Sequence, residues 1–221
     1  MKQLFLIILL IAGVACHAQD TLSNWSFGAL LGVDRQFRSL NEENSLSGTP
    51  ETWEELESAA WRISGGLKVQ WSPLKRFSLS TGIIYVDRGY EIDSVKVARW
   101  HGLEYHFRYV DIPLGIHYTG KESKKNRLFA GVGINTSIAV SNVLQYKKNG
   151  QTAQFEMEAQ SDIRPIQLNV SASLGIRRSI TNNATIDLYL SGIQSLKSHA
   201  DGPLERRFNS VGLFVSILNR F

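Results

Sequence analysis

Cysteine is almost absent from this sequence of 221 residues, and the single one, Cys16, lies in an N-terminal segment with the features of a secretory signal. Lys2 gives a positive start, residues 4–12 are apolar, and the segment ends at Ala18, a small residue of the kind that precedes a cleavage site. We therefore expect a signal peptide at residues 1–18 and one domain at residues 19–221. Such a mature chain has no cysteine, which excludes disulfide bonds and thiol chemistry. Acylation of Cys16, as in a lipoprotein, is the alternative.

Long hydrophobic runs are also missing. The apolar stretch at residues 4–12 is shorter than the roughly 20 residues that an α-helix needs to cross a membrane, and no later segment approaches that length. The sequence therefore predicts no α-helical membrane span. No linker rich in glycine, serine or proline divides the chain, which favours a single domain.

Charge of one sign is not concentrated in a way that suits nucleic acid. The formal net charge is +4, but the basic residues are scattered among predicted strand ends and turns, so we expect no nucleic-acid partner. One segment is acidic, because residues 41–58 contain six glutamates and neither lysine nor arginine. A solvated loop is the favoured interpretation, and a patch that docks a partner or a divalent cation is the alternative.

Catalytic and metal-binding patterns are missing as well. A lipid-A deacylase on a small barrel would carry a His-x-Ser pair, and no histidine of the sequence precedes a serine in this way. His199 and Asp201 resemble half of an omptin-like pair, although a solvated loop tip is the favoured interpretation. His101 and His106 do not have a recognised metal-ligand spacing. The sequence therefore predicts a protein that is not an enzyme, with no metal and no cofactor.

What the sequence does contain is apolar/polar alternation. In the clearest stretch, every second residue from Ile166 to Ile176 is apolar and the residues between are polar or small. A period of two is that of a β-strand with two different faces, and the run is as long as the roughly 9–11 residues with which a tilted strand crosses a membrane. The pattern predicts strands at residues 24–37, 59–71, 76–87, 105–118, 127–140, 166–177, 184–192 and 208–221.

The connections between these strands alternate in length. Short ones are predicted at residues 72–76, 119–126 and 178–183, and each of the others is longer. Outer-membrane barrels are built in this way, with long external loops, short periplasmic turns and an even number of strands. We therefore predict an all-β fold, an eight-stranded antiparallel up-and-down transmembrane β-barrel that lies in the outer membrane in contact with its lipid.

Alternation does not by itself say which face meets lipid, because a soluble lipocalin-like barrel encloses the same apolar residues. The other face is rich in glycine, serine and asparagine, which suits a narrow filled lumen. Aromatic residues also fall near predicted strand ends, where interfacial girdles lie: Trp25, Trp61, Trp71, Phe77, Tyr118 and Phe221. Both features favour apolar residues on the lipid side. A soluble barrel that binds an apolar ligand is the alternative.

The fourth predicted strand changes phase. The aromatic residues Tyr105, Phe107 and Tyr109 occupy odd positions, whereas the apolar residues from Ile112 to Tyr118 occupy even ones. One extra residue at positions 110–111, a β-bulge, would place both sets on the lipid face. The proline at position 113 supports this interpretation, since proline within a sheet is confined to edges and bulges.

Charged residues at alternate positions are predicted to point into the barrel: Asp34, Arg62, Lys68, Arg108, Asp111, Arg177 and Asp187. The interior of an eight-stranded barrel is just wide enough for side chains, and charges buried there must pair. We therefore predict a structural polar network that plugs the lumen. The small size of an eight-stranded barrel by itself disfavours a conducting pore.

With the strands placed, three short motifs carry a family resemblance: residues 109–114 (YVDIPL), 128–133 (LFAGVG) and 189–193 (YLSGI). Together with the Ala18-Gln19 boundary and the closing strand to Phe221, they resemble the PorT-like outer-membrane β-barrel family of Bacteroidota. The resemblance implies a role accessory to protein secretion, with other envelope or secretion proteins as partners. Phe221, with apolar residues at alternate positions before it, resembles the signal that the barrel-assembly machinery reads. The predicted function is a non-catalytic structural or interaction role through the external loops.

Overall fold

The computed structural model describes residues 24–42, 57–92, 101–121, 126–148, 151–156, 164–198 and 204–221. The predicted signal peptide with Cys16, most of the acidic segment, and His199 and Asp201 lie outside the described residues. Among the residues that are described, no helix is long and apolar enough to cross a membrane.

The described residues form antiparallel strands that follow one another around a closed sheet. The strands are β1 (Trp25–Glu42), β2 (Glu57–Trp71), β3 (Phe77–Ile92), β4 (His101–Thr119), β5 (Asn126–Lys148), β6 (Gln151–Glu156), β7 (Ile166–Ser179), β8 (Ala184–Ser195) and β9 (Leu204–Arg220). Each pairs with the next, except that β5 pairs with both β6 and β7, and β9 pairs with β1. Eight strands thus close a barrel, and the predicted fold class is confirmed.

The ninth strand, β6, was not predicted. It pairs only with the end of β5 within the described residues, from Val143 opposite Glu156 to Lys148 opposite Gln151. This hairpin extends the barrel wall at the end opposite the short turns. The polar sequence there lacks the alternation of a membrane strand, but Asn149-Gly150 is the dipeptide that favours a two-residue hairpin turn, and it is the signal that could have revealed β6.

The outer surface of the barrel is apolar. In register across β7, β8 and β9 lie Leu174, Leu190 and Leu213, and each is more than half exposed. The intervening positions are buried and polar, such as Asn169 and Asp187. The prediction of apolar residues outside is therefore confirmed, and the soluble alternative with apolar residues inside is wrong.

Aromatic pairs mark the end of the barrel that carries the short turns, the start of β1 and the end of β9. Trp25 on β1 stacks on Trp71 of β2 with 5.9 Å between ring centroids, and Phe77 of β3 lies 5.2 Å from Tyr118 of β4. All four rings are partly exposed. They lie where an aromatic girdle would meet the membrane–water interface. In outer-membrane barrels the short turns are periplasmic, so this end of the barrel faces the periplasm.

The phase of β4 differs from the prediction. Its register with β3 is constant from Leu103 to Tyr118, so β4 contains no bulge against β3. Phe107 and Tyr109 are buried inside the barrel, packed with Phe208. The predicted bulge at positions 110–111 is therefore wrong. The irregularity lies in the partner strand β5, where position 140 has no residue opposite it in β4.

The reason for this error is that β4 carries apolar residues on both faces. Tyr90, Ile92, Phe107, Tyr109 and Phe208 form an aromatic cluster inside the external end of the barrel. Alternation identifies which residues share a face, but it does not say whether that face meets lipid or a filled lumen. The prediction that the aromatic residues of β4 face lipid therefore required a bulge that this strand does not contain.

One glycine of β1 makes room for an aromatic ring inside the barrel. Gly32 lies directly opposite Phe214 of β9, and a Cβ atom at Gly32 would overlap the Phe214 ring. That ring cannot move freely, because it is stacked on Tyr189 at 5.6 Å. We expect Gly32→Ala to lower the free energy of unfolding by about 1–3 kcal/mol, the usual effect of overpacking. Urea titration of the barrel in lipid vesicles measures this difference.

Gly192→Ala is the matched control for this prediction. Gly192 also lies within a strand, but a Cβ there would meet its nearest neighbour, the Ser210 carbonyl oxygen, at 3.9 Å. We expect no loss of stability, since glycine within a strand is itself unfavourable. Equal effects of the two substitutions would show that the packing of the Phe214 ring does not require a glycine at position 32.

Candidate functional site

The most strongly charged part of the lumen lies near its periplasmic end. Arg177 of β7 stands directly opposite Asp187 of β8. Its Nε donates to Oδ1 and its Nη2 to Oδ2 of Asp187, both at 2.7 Å, and Nη2 also donates to Oε1 of Gln70 at 2.7 Å. Lys68 of β2 reaches across the lumen, with Nζ 3.8 Å from Asp187 Oδ2. One fully buried carboxylate thus holds two cations.

Aromatic rings surround this ion cluster. The Arg177 guanidinium lies 5.5 Å from the centroid of the Phe129 ring, and Lys68 Nζ lies 5.2 Å from that of Tyr189. Phe129 and Tyr189 meet edge to face at 5.7 Å, and with Leu30 and Phe214 they form a buried apolar cluster. These rings exclude water, so the attraction between Asp187 and the two cations is stronger than it would be at the surface.

A second polar group fills the middle of the lumen. Arg88 of β3 donates to Asp111 Oδ2 at 2.7 Å and to Ser137 Oγ at 2.9 Å. Ser137 also accepts from Asn169 Nδ2 at 2.7 Å, and Asn169 Oδ1 accepts from Ser195 at 2.7 Å. Arg88 was not among the predicted residues, because the third strand was predicted to end at position 87. Continuing the even-numbered inward face of β3 by one step would have found it.

Asp34 is buried and has its own hydrogen-bond partners, although the Arg88 guanidinium also attracts its carboxylate. Its carboxylate accepts hydrogen bonds from Gln36 and, at 3.2 Å, from the Ser64 hydroxyl, both of which are neutral. The predicted residues Asp34, Lys68, Asp111 and Asp187 are therefore buried within the barrel, and Arg177 is partly buried there. They belong to three separate groups rather than to one network.

One predicted lumen residue lies elsewhere. Arg108 pairs with Asp87 across β3 and β4, at a position that alternates with the buried Phe107 and Tyr109, so it belongs to the outward face. The register corrects its expected inward placement. The cause is the misjudged phase of β4, which reversed the faces of residues 105–109.

Arg62 is buried, and the register of β1 with β2 places it directly opposite Asp34. The register of β2 with β3 shifts between Ala59 and Ser64, so a residue is added to β2 here. The Arg62 guanidinium donates to Glu104 Oε1 at 2.6 Å and lies beside Gly89. Glu104 occupies the outward face of β4, as does His106, whose Nδ1 lies 2.7 Å from Asp87 Oδ2. The ion pair of Arg62 is therefore with Glu104, and its predicted inward placement stays a prediction.

One buried pair inside the lumen resembles a nucleophile and its base. Ser80 Oγ and His117 Nε2 are 2.7 Å apart. However, His117 Nδ1 has no hydrogen-bond partner, and the imidazole lies edge-on to the Phe129 ring at 5.9 Å. A Ser-His pair needs a third group that orients the imidazole, and the described residues offer none here. Among all the residues that the structure describes, no three His, Cys, Asp or Glu side chains are grouped to hold a metal ion.

Residues 17–199 match the family model described as an outer membrane protein beta-barrel domain. The chain belongs to this family. The match covers most of the sequence and agrees with the closed barrel and its apolar outer surface, so the protein is an outer-membrane β-barrel in contact with membrane lipid. The narrower resemblance to PorT-like proteins stays a prediction.

Solved outer-membrane proteins have similar folds. OprG from Pseudomonas aeruginosa has a TM-score of 0.54 at 10% sequence identity, over 89% of this chain and 95% of OprG. Neisserial surface protein A has a TM-score of 0.49 at 10% identity, over 90% and 98% of the two chains. Ail, the attachment invasion locus protein of Yersinia pestis, has a TM-score of 0.41 at 11% identity, over 87% and 97%. At this identity, the likeness to OprG shows the fold alone. None of the curated proteins matches this chain.

Proposed function

We propose that this barrel is a non-catalytic structural or interaction protein whose external side contacts another envelope protein. Accessory action in protein secretion is the role that the PorT-like resemblance favours. The observation that carries the proposal is the β5–β6 hairpin, which continues the barrel wall beyond its apolar surface.

The length of β5 supports this proposal. Its exposed apolar residues on the lipid face end at Val140, yet the strand continues to Lys148 and remains paired with β4 on one side and β6 on the other. At about 3.3 Å per residue, positions 141–148 add roughly 25 Å along the strand. A membrane span does not require this extra length, so the raised sheet can present a surface to a partner.

The filled lumen supports the same proposal by disfavouring a transport role. Tyr109, Asn169 and Asp187 are each essentially inaccessible, and they lie at successive levels inside the barrel. Side chains that are bonded to one another across the lumen leave no route for a solute. The polar network is on this proposal a structural plug that holds the strands in place.

The outer part of the β5–β6 hairpin can be removed without disturbing the barrel. Leu144 and Phe155 pair directly, so replacing residues 145–154 by Asn-Gly would close the same hairpin with a two-residue turn. We expect the shortened protein to keep its heat-dependent shift on SDS gels, because all eight barrel strands keep their neighbours. On native gels of solubilised outer membranes, we expect the wild type to migrate as a complex and the shortened protein as a monomer.

The control replaces the turn at residues 180–184 by Asn-Gly, which keeps Ser179 opposite Thr185, shortens the chain at the periplasmic end and leaves the hairpin intact. We expect this variant to keep the complex. If the hairpin variant retains both the native-gel complex and normal secretion, the proposed role of the external side is refuted.

Phe221 fits a second, independent proposal, that the barrel-assembly machinery recognises the end of β9. The Phe221 ring is 64% exposed, and its backbone N–H donates to the Trp25 carbonyl at 3.3 Å. An exposed terminal ring next to the seam between β1 and β9 is accessible to such a partner. Slower membrane assembly of Phe221→Ala in cells, with unchanged stability of the assembled barrel, would support this proposal.

A further inference from the structure

A cavity of about 690 Å³ occupies the periplasmic mouth of the barrel. Its walls come from the ends of several strands and from the turns at residues 72–76 and 180–183, and its floor includes Gln70 and Arg177 of the lumen. The volume is within the range of about 300–1,000 Å³ that is typical of sites for small molecules. Because the aromatic girdle lies outside the barrel, the cavity opens toward the periplasm and not toward the lipid tails.

Every charged residue among those described around this cavity is basic, since none of them is an aspartate or a glutamate. The cationic lining residues are Lys75, Arg76, Lys121, Arg127, Arg177 and Arg220. The other lining side chains are mostly hydroxyls and amides, which can also donate hydrogen bonds. A concave surface with charge of one sign concentrates counter-ions, so the mouth favours an anion.

The floor of the cavity adds to this positive potential. Arg177 and Lys68 share the single carboxylate of Asp187, so the charges directly below the floor sum to a positive value. Arg177 already uses Nε and Nη2 on Asp187 and Gln70. Its position is therefore fixed, and no reorganisation is needed when an anion arrives.

An unpartnered hydroxyl provides an independent observation. Ser78 lines the cavity and is only 3% exposed, yet its Oγ has no hydrogen-bond partner. Buried polar groups are normally satisfied, and one that is not calls for an explanation. An oxyanion in the cavity would accept a hydrogen bond from this hydroxyl.

We propose that the periplasmic mouth binds a phosphate group, carried either by a water-soluble phosphate ester or by a phospholipid headgroup. Six cations line one cavity that has no described acidic residue in its wall, and arginine donors match phosphate oxygens in pairs. The Ser78 hydroxyl and the neighbouring side-chain amides complete the donor set.

Pyrophosphate is a suitable probe for this site. Titration calorimetry would use the full mature barrel in zwitterionic lipid nanodiscs, at about 50 mM salt to limit screening. We expect saturable binding that weakens as salt is added. The double variant Arg76→Gln/Lys121→Gln should weaken binding by about tenfold or more, and Ser78→Ala should weaken it severalfold.

Arg178→Gln is the matched control, because Arg178 is an exposed arginine at the same end of the barrel but does not line the cavity. It should leave the affinity almost unchanged. Absence of saturable binding at millimolar pyrophosphate, or equal weakening by Arg178→Gln and the double variant, would overturn the proposal.

Once binding is established, nanodiscs that contain phosphatidylglycerol distinguish the two sources of the phosphate group. Competition by this lipid identifies a headgroup site, and unchanged pyrophosphate binding identifies a site for a soluble ester.

Discussion

Asp187→Asn is expected to lower the free energy of unfolding of this barrel by about 3–5 kcal/mol, the usual effect of removing one partner from a buried ion pair. Asp187 is completely buried, accepts two hydrogen bonds from Arg177 and lies 3.8 Å from Lys68 Nζ. The neutral amide would leave two buried cations without a counter-charge. Urea titration in lipid vesicles, followed by the heat-dependent shift on SDS gels, measures the loss.

The matched control is Asp34→Asn. Asp34 is equally buried, but its hydrogen bonds come from neutral side chains, among them Gln36 and Ser64, and the Arg88 guanidinium attracts it only from a distance. The asparagine oxygen can still accept from Gln36, and its amide nitrogen can donate to the Ser64 hydroxyl instead of accepting from it. We therefore expect a loss of about 1 kcal/mol, typical of one altered hydrogen bond. If Asp187→Asn is as mild as Asp34→Asn, the lumen cluster does not hold the barrel together.

A double variant tests the charge argument directly. Adding Lys68→Met to Asp187→Asn removes one of the two unpaired cations and keeps a side chain of similar length. We expect it to restore part of the lost stability, because the two positions share one interaction and their effects should not add. Additive losses would indicate that Lys68 acts through packing alone.

Leu190→Arg is expected to destabilise the barrel by about 2–4 kcal/mol, the effect of a charge facing lipid near the middle of the membrane. Leu190 is 57% exposed and lies in register with the exposed Leu174 and Leu213 on its two neighbouring strands. An arginine there meets hydrocarbon on every side. The same urea titration in vesicles gives the magnitude, and the yield of heat-modifiable protein reports insertion.

Leu74→Arg is the control for this effect, since Leu74 is exposed to a similar degree but lies in the turn between β2 and β3. Near the membrane–water interface, the expected decrease in the free energy of unfolding is about 0–1 kcal/mol. Equal effects at the two positions would mean that exposure in the barrel does not correspond to contact with lipid.

Much of the fold was predictable because a membrane barrel repeats one simple pattern. The run from Ile166 to Ile176 identifies a strand and separates its two faces, and β7 begins at Ile166 as predicted. Interior residues such as Asp34 and Asp187 follow from the same alternation. Strand ends were less predictable: β4 and β5 continue past the lipid, where the apolar face is no longer required and the pattern fades.

The sequence by itself determined the number of barrel strands, their order around the barrel and the lipid-facing side of most of them, because these depend only on period-two alternation and the lengths of the connections. Tertiary structure alone decided which charges meet. Lys68 of β2 reaches Asp187 of β8 across the lumen, and Arg177 contacts Gln70 although 107 positions separate them. Such contacts depend on barrel closure and strand stagger. The same is true of the basic periplasmic mouth, since residues from separate turns and strand ends surround one cavity only after the barrel has closed.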